Sequence, residues 1–151
     1  MFKATILLVT LFVASAFGME GIKECKYINA PLPMETSNSL CEKNPCTITN
    51  GASVETTTTF KTTASSSLKY NVDAYLGSFK IPIDFVPAED QDACKGLTSG
   101  KCPVKDGDVV THQIKLPVEA PMEATISMEA YVTDENKKAL FCYRTQITVK
   151  N

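Results

Sequence analysis

The stretch that decides the fold runs from residue 124 to residue 133 and reads ATISMEAYVT. Apolar side chains occupy every second position, and the positions between them carry a polar group. This period of two indicates a β-strand with one buried and one solvated face, because successive side chains of a strand point to opposite sides. The inward face would hold Ala124, Ile126, Met128, Ala130 and Val132.

The same alternation recurs on both sides of this stretch. Residues 53–63 include six threonines, whose branched side chains favour a strand. Residues 68–76, 109–118 and 139–149 alternate as well, and no segment longer than a turn has the helical period. The inward faces of these four segments would include Val54, Phe60, Tyr70, Val72, His112, Ile114, Phe141 and Tyr143.

Further strands are predicted at residues 24–29 and 79–87, with an irregular connection that carries three prolines at 30–45. About seven short strands separated by turns predict an all-β fold, a two-sheet immunoglobulin-like β-sandwich. An immunoglobulin domain proper has a tryptophan beside its sheet-bridging disulfide, whereas this chain contains no tryptophan.

One apolar run, residues 79–87, is interrupted by prolines and reads FKIPIDFVP. Pro82 and Pro87 have no N–H to donate to a neighbouring strand, so the run is expected at a sheet edge. The sheets could part along that edge and open an apolar container. From the residues alone, the container could be filled by the protein's own close-packed side chains or by a guest molecule.

The first 18 residues have the features of a cleaved signal peptide: a single charge at Lys3, an apolar core of about 13 residues, and small residues before position 19. Such a core is shorter than the roughly 20 residues that span a bilayer. Residues 19–151 would then form one domain. We expect a secreted, extracellular monomer, in preference to a protein of the lysosomal lumen.

Six cysteines follow this segment, and an even number in an oxidising compartment predicts three disulfides. Pairing Cys41 with Cys46 and Cys94 with Cys102 would close two short loops and leave Cys25 for Cys142. Spacing alone cannot select this among about 15 possible pairings. A metal site is not expected, because no pair of cysteines has the Cys-x-x-Cys spacing and the single histidine is distant.

Charge and composition argue against several classes of function. The formal net charge is −2, which does not favour nucleic acid as a partner. An enzyme is not expected either, because all thiols would be oxidised, His112 is the only histidine, and the Gly-x-Ser-x-Gly pattern is absent. No cofactor is implied.

Several short motifs together resemble a known family. They are the six cysteines in this order, the run IPIDF at 81–85, Cys102-Pro103, KLPV at 115–118 and LFCY at 140–143. The chain is similar over residues 19–151 to the ML (lipid-recognition) domain family, in particular to its Niemann-Pick type C2-like branch and the secreted arthropod members. The resemblance implies the disulfides Cys25–Cys142, Cys41–Cys46 and Cys94–Cys102.

The resemblance also implies a function. Members of the family hold a fatty acid, a sterol or another lipid between two splayed sheets. By motif, Phe85 matches the aromatic residue at the entrance of the sterol-binding members and Val118 the valine after Lys-Leu-Pro, while Met122 stands where those members commonly have tyrosine. A flexible thioether accepts many apolar shapes, which shifts the expectation from sterol towards fatty acid.

We therefore expect a carrier of a small hydrophobic molecule, such as a fatty acid, a sterol or a semiochemical, with transient contact to a membrane or receptor. The alternative is an innate-immune module that recognises lipid and acts through a receptor. The candidate ligand-binding residues are Phe60, Tyr70, Val72, Phe85, Ile114, Val118, Met122, Ile126, Met128, Ala130, Phe141 and Tyr143.

Overall fold

The computed structural model describes residues 19–151. The signal peptide expected at residues 1–18 lies outside the described residues. The described chain forms nine β-strands and one short 3-10 helix at Ala88–Asp90, which confirms the all-β prediction. The strands are β1 Glu35–Asn38, β2 Cys46–Thr49, β3 Ser53–Lys61, β4 Leu68–Leu76, β5 Phe79–Lys80, β6 Leu97–Ser99, β7 Val109–Pro117, β8 Ala124–Asp134 and β9 Ala139–Lys150.

The strands make two sheets that pack face to face. One sheet has four strands in the order β1-β3-β7-β6, and the other has five in the order β2-β9-β8-β4-β5. All neighbours are antiparallel except β2 and β9, which are parallel. In the larger sheet, Val72 of β4 lies opposite Ala130 of β8, and Ala130 lies opposite Tyr143 of β9.

The long strands bury side chains at alternate positions, on the faces that point towards the opposite sheet. Val54 and Phe60 of β3, Tyr70 of β4, Val132 of β8 and Phe141 of β9 are all buried between the sheets. Each of these side chains leaves water and contributes up to roughly 1.5 to 3 kcal/mol. These long alternating strands therefore supply most of the core.

Residues 24–29 do not form the predicted strand, and that prediction is wrong. The segment crosses the outer face of the five-stranded sheet, where the carboxylate of Glu129 accepts hydrogen bonds from the Lys26 N–H (2.5 Å) and the Tyr27 N–H (3.3 Å). The carboxylate satisfies the N–H groups of residues 26 and 27, and only the flanking residues 23 and 31 bond to the edge of β9. The first strand is instead β1, inside the stretch expected to be irregular.

The same outer-face segment changes the end of β4. Tyr75 is buried although it lies on the outward parity, because Tyr27 stacks on it with 4.4 Å between ring centroids. Leu76, expected to point inward, is 48% exposed. The alternation therefore fails at Tyr75, where a second layer covers the sheet, and at Leu76, the last residue of the strand.

The strand predicted at residues 79–87 is only two residues long. β5 lies at the edge of the five-stranded sheet, as the prolines indicated, and the Ile81 N–H still donates to the Ala74 carbonyl at 2.8 Å. Pairing ends at Pro82, which has no N–H. Residues 82–90 then loop away before Gln91 and Ala93 return to the edge of β4.

Three disulfides link Cys25 with Cys142, Cys41 with Cys46, and Cys94 with Cys102, as the family resemblance implied. Cys142 lies on the outward parity of β9, next to the inward Phe141 and Tyr143, so its bridge ties the outer segment to the sheet. In residues 19–151, no helix has the length and apolar character needed to cross a membrane.

Candidate functional site

The candidate site is a cavity between the two sheets, and its volume is about 70 Å³. Strands of both sheets supply its wall, and residues 19, 41 and 118 complete it. The lining residues are Met19, Asn38, Cys41, Ile48, Val54, Thr56, Tyr70, Val72, Leu116, Val118, Met128, Ala130, Tyr143, Thr145 and Ile147.

The cavity lies where two parts of the core meet. One large cluster of buried side chains includes Phe60, Tyr70 and Phe141, and a smaller one consists of Ile48, Val54, Ile147 and Val149. Met128 packs against both clusters and also lines the cavity. The cavity thus lies at the boundary between the two clusters, where their side chains do not fill the space between the sheets.

Hydroxyl groups form part of the wall. Tyr70 and Tyr143 are buried at 3% and 5% exposure, and the Tyr143 hydroxyl interacts with those of Tyr70, Thr36 and Thr58. The Thr36 and Thr58 hydroxyls are hydrogen-bonded to each other at 3.1 Å. We call these four residues the hydroxyl cluster. Burial raises the pKa of the Tyr70 and Tyr143 phenols, so both keep their protons at neutral pH.

A second polar contact lies in the same wall. The Asn38 side-chain amide donates to the Thr56 hydroxyl at 3.2 Å, and both residues line the cavity. His112, behind this wall, stacks on Tyr70 with 5.0 Å between ring centroids. Burial lowers the pKa of His112 to about 4, so its imidazole is neutral at physiological pH. Within residues 19–151, every side chain that lines the cavity is uncharged.

Six of the twelve candidate residues lie together at this cavity: Tyr70, Val72, Val118, Met128, Ala130 and Tyr143. Phe60 and Phe141 are buried in the large cluster with their ring centroids 4.7 Å apart, and they line a more open hollow of about 680 Å³ towards the other end of the strands.

The other four candidates lie away from the cavity wall. Ile114 is buried in the large cluster, Phe85 is half-buried against it, and Ile126 is half-buried against the small cluster. Met122 is 67% exposed in the loop between β7 and β8. The thioether that shifted the expectation from sterol towards fatty acid therefore does not contact the cavity.

Nine lining residues were missed by sequence reasoning. Three of them point inward, as the alternation predicted: Val54, Leu116 and Ile147. The alternation does not indicate which inward positions along a strand reach the cavity. The other six belong to segments expected to be irregular or terminal, or are polar residues at inward positions: Met19, Asn38, Cys41, Ile48, Thr56 and Thr145.

The edge of β4 is thinly covered near the cavity. The Tyr70 N–H donates to the Gln91 carbonyl, and the Ala74 carbonyl accepts from Ile81, but Val72 between them faces the looped-out residues 82–90. Val72 lines both the cavity and an external hollow of about 270 Å³ formed with residues 80–84. Val72 therefore borders both the cavity and a hollow on the surface.

The loop over this edge is held by the Gln91 side chain and by the buried Val86. The Gln91 amide donates to the Asp84 carboxylate at 2.8 Å and to the Val86 carbonyl at 3.0 Å. Val86 is buried at 1% exposure and anchors the loop in the core. Residues 82–90 are thus attached at a few points that could release without unfolding the sheets.

No metal centre arises from the closest group of ligand-type side chains among the described residues. Atoms of Cys25, Cys142 and Glu129 lie within 4.8 Å of one another. The two sulfurs are bonded to each other, so neither is a thiolate.

Comparison with known proteins decides the family. A family model of the ML domain matches residues 21–149. The chain belongs to the ML domain family. This confirms the resemblance found in the sequence and accounts for the two-sheet fold.

Two solved structures are similar to this ML domain. A Niemann-Pick type C2 protein from the Japanese carpenter ant has a TM-score of 0.70 at 16% identity and covers 85% of this chain and 98% of its own. Chicken MD-1 complexed with lipid IVa has a TM-score of 0.42 at 12% identity and covers 64% of this chain and 70% of its own. A sequence search of curated proteins finds no match.

Proposed function

We propose that the protein is a secreted carrier that binds one small hydrophobic molecule between its two sheets and releases it to a membrane or receptor. Fatty acids, sterols and similar semiochemicals are the candidate ligands. The observation that carries the proposal is the cavity between the sheets, at the boundary of the two core clusters, in a chain of the ML (lipid-recognition) family.

The size of the cavity sets a condition on binding. Sites for small molecules usually have a volume of about 300 to 1,000 Å³, whereas this cavity has about 70 Å³. A ligand with a long hydrocarbon chain therefore enters only if the sheets move apart. Such movement is compatible with the covalent framework, because the three disulfides join an outer segment and local loops to the fold.

The energetic balance favours reversible binding. Burying about ten methylene groups at about 0.8 kcal/mol each gives roughly 8 kcal/mol. Association and separation of the sheets cost several kcal/mol of this gain. Micromolar affinity corresponds to about 8 kcal/mol net, so a chain of about ten methylene groups should bind more weakly than that, which suits a carrier that must release its cargo.

The alternative, an immune module that presents lipid to a receptor, has no specific support in the described residues. A charged lipid headgroup would need cationic side chains at the cavity, and the side chains that line it are uncharged. We therefore favour the carrier, acting as a monomer.

The test is a titration of the purified protein with Nile red, followed by competition with lipids of different class. The carrier predicts saturable one-to-one binding and a rise in melting temperature with ligand concentration, since a ligand that binds only the folded state stabilises it. Native mass spectrometry of protein secreted by its own source would then identify a bound lipid. Absence of any saturable signal would contradict the carrier.

A further inference from the structure

An open hollow of about 570 Å³ lies on the outer face of the five-stranded sheet, on the opposite side of that sheet from the cavity. Its floor consists of outward residues of β4 and β8: Asn71, Tyr131 and Thr133. Residues 27–29 of the crossing segment form one side, and residues 137–139 after β8 form another. Sites for small molecules usually have about 300 to 1,000 Å³, so the hollow has the size of a binding site.

Three lysines give this outer hollow a positive charge. Lys69, Lys137 and Lys138 line it, and among the described residues no carboxylate does. Within residues 19–151, none of the three forms a salt bridge. Cations that line one hollow repel each other, and an anion bound between them would offset this repulsion. The outer hollow therefore favours a ligand that carries negative charge.

The carboxylates around the outer hollow are already engaged with other groups. Four acidic residues lie next to its lining in sequence or across a strand pair, and each has a partner that does not belong to the three lysine ammonium groups. The partners are Lys80 for Asp73, Lys95 for Asp92, the N–H groups of residues 136 and 138 for Asp134, and the Ser66 hydroxyl for Glu135. These carboxylates therefore do not neutralise the lysines.

The two sides of the outer hollow are held in place. Lys137 has a φ of 62° and is the only non-glycine residue in residues 19–151 with a positive φ, a conformation that glycine adopts more easily. Asp134 fixes this turn through the N–H groups of residues 136 and 138. On the other side, the Cys25–Cys142 disulfide and the Glu129 carboxylate hold the crossing segment. A site with fixed sides loses little conformational entropy when a ligand binds.

Uncharged polar groups on the floor favour a sugar over a simple anion. The Asn71 amide nitrogen donates to the Lys69 carbonyl at 3.0 Å and to the Thr133 hydroxyl at 3.4 Å, which leaves the Asn71 Oδ1 as an acceptor. The Thr133 hydroxyl accepts that bond and keeps its own hydrogen to donate. A sugar hydroxyl both donates and accepts, whereas an inorganic sulfate ion only accepts. A membrane surface would instead need apolar side chains that insert between the lipids, and the lining here is concave and mostly polar.

We propose that the outer hollow binds a sulfated segment of a polysaccharide, with a sulfate group among Lys69, Lys137 and Lys138 and a sugar hydroxyl on Asn71. A sulfate ester stays ionised at neutral pH and presents three terminal oxygens to the three lysines. The site is independent of lipid carriage, because Tyr131 faces the outer hollow whereas its neighbour Ala130 faces the cavity. The protein would therefore be held on a polysaccharide while the cavity between the sheets stays accessible.

The experiment measures binding to dextran sulfate by calorimetry, with dextran as the neutral polymer of the same sugar. Salt is varied from about 0.05 to 0.2 M, because displacement of counterions makes binding to a polyanion salt-dependent. We expect saturable binding of dextran sulfate, a linear fall of log affinity with log salt concentration, and no binding of dextran. Polyglutamate, a polyanion without sugar, should compete at least about tenfold more weakly than dextran sulfate, since it offers no hydroxyl to Asn71.

Two sets of variants assign the binding to the outer hollow. The triple variant Lys69→Gln, Lys137→Gln, Lys138→Gln should bind dextran sulfate about ten- to hundredfold more weakly, at about two- to fivefold per exposed ion pair, with a shallower salt dependence. Asn71→Ala should lose about two- to tenfold in affinity and keep the salt dependence, because it removes no charge. The matched control has the same net charge and changes three exposed lysines outside the outer hollow: Lys101→Gln, Lys115→Gln and Lys150→Gln.

Each outcome supports or overturns the site. Equal affinities of the two triple variants would overturn it. If polyglutamate competes as well as dextran sulfate, or Asn71→Ala binds like the unmodified protein, the hollow recognises charge alone and the sugar ligand is overturned. Tighter binding to vesicles of phosphatidylserine and phosphatidylcholine than to dextran sulfate, lost in the first triple variant, would overturn it in favour of a membrane. Nile red titrations with and without saturating dextran sulfate should agree, and a loss of Nile red binding would overturn the independence of the two sites.

Discussion

The buried ion pair between Glu129 and Arg144 should be one of the strongest single attachments of the N-terminal segment. Glu129 is 0% exposed, and its Oε1 accepts from Arg144 Nη1 at 2.8 Å as well as from the Lys26 N–H. Replacing one member of a buried pair leaves the other charge without a partner, which typically costs about 3 to 5 kcal/mol. We expect Glu129→Met to lose this amount, a fall of about 10 °C or more in melting temperature.

The double variant Glu129→Met with Arg144→Met tests the origin of that loss. It removes both charges, so the remaining cost is mainly the loss of the acceptor for the Lys26 and Tyr27 N–H groups. We expect it to be less destabilised than the sum of the two single variants, with a coupling energy of about 2 kcal/mol.

Urea unfolding at neutral pH with the disulfides intact measures all four proteins. Lys80→Met is the control, because it breaks an ion pair with Asp73 in which the lysine is 57% exposed, and it should cost less than about 1 kcal/mol. Additive single losses, or a loss below about 1 kcal/mol for Glu129→Met, would refute the buried pair as an anchor.

Three further predictions concern the pH dependence, the loop and its aromatic residue. Burial lowers the pKa of His112 to about 4, so between about pH 6.5 and 4 the unfolded chain binds a proton at this residue and the folded chain does not. The free energy of unfolding should therefore fall by roughly 3 kcal/mol as the pH drops through this range. His112→Gln should lack this part of the fall in urea melts across that range. Gln91→Ala should speed lipid release and amide exchange of residues 82–90 by about five- to thirtyfold, because it removes the two hydrogen bonds that the Gln91 amide donates. Equal rates in Gln91→Ala and the exposed control Gln113→Ala would contradict the fastening role. Phe85→Asp should stay folded but lose lipid binding, because Phe85 is half-buried beside the thinly covered edge of β4. The control Val132→Asp, at a position with 0% exposure, should lose several kcal/mol of stability. An equal fall in melting temperature for the two variants would place Phe85 in the core.

Alternation predicted the long strands because it reports a local property, the side of the sheet to which each residue points. It succeeded for β3 and β7 and for the inward positions of β8, which face the opposite sheet. On the outer face of β8 it missed Glu129, which is buried. It failed at Tyr75, because a buried ion pair and a disulfide hold another segment against the outer face there. No period in residues 24–29 could reveal that their N–H groups bond to a carboxylate about one hundred positions later.

The sequence predicted which side of each strand faces the core, but it predicted only part of the set of residues that line the cavity. Tyr70 and Phe141 both point inward, yet only Tyr70 lines the cavity, because Phe141 lies towards the other end of the strands. Whether packing leaves space depends on side chains from seven strands, which are brought together only in the folded chain. Met122 was chosen from its position in a sequence motif, and such a position does not indicate whether the side chain is exposed.

The unequal sizes of the two core clusters have a consequence for the free energy of local opening. The small cluster around Ile48 and Val149 has only four buried members, so separating the sheets at that end exposes little apolar surface. The end that contains Phe60 and Phe141 must lose far more before it opens. Native-state hydrogen exchange should therefore show a partly open species in which β2 and the end of β9 exchange early, at a cost well below global unfolding. The sheets would then part for a lipid at lowest cost at that end, so the rate of uptake would depend on the stability of one end of the domain, together with release of the loop over β4, and not on the stability of the whole.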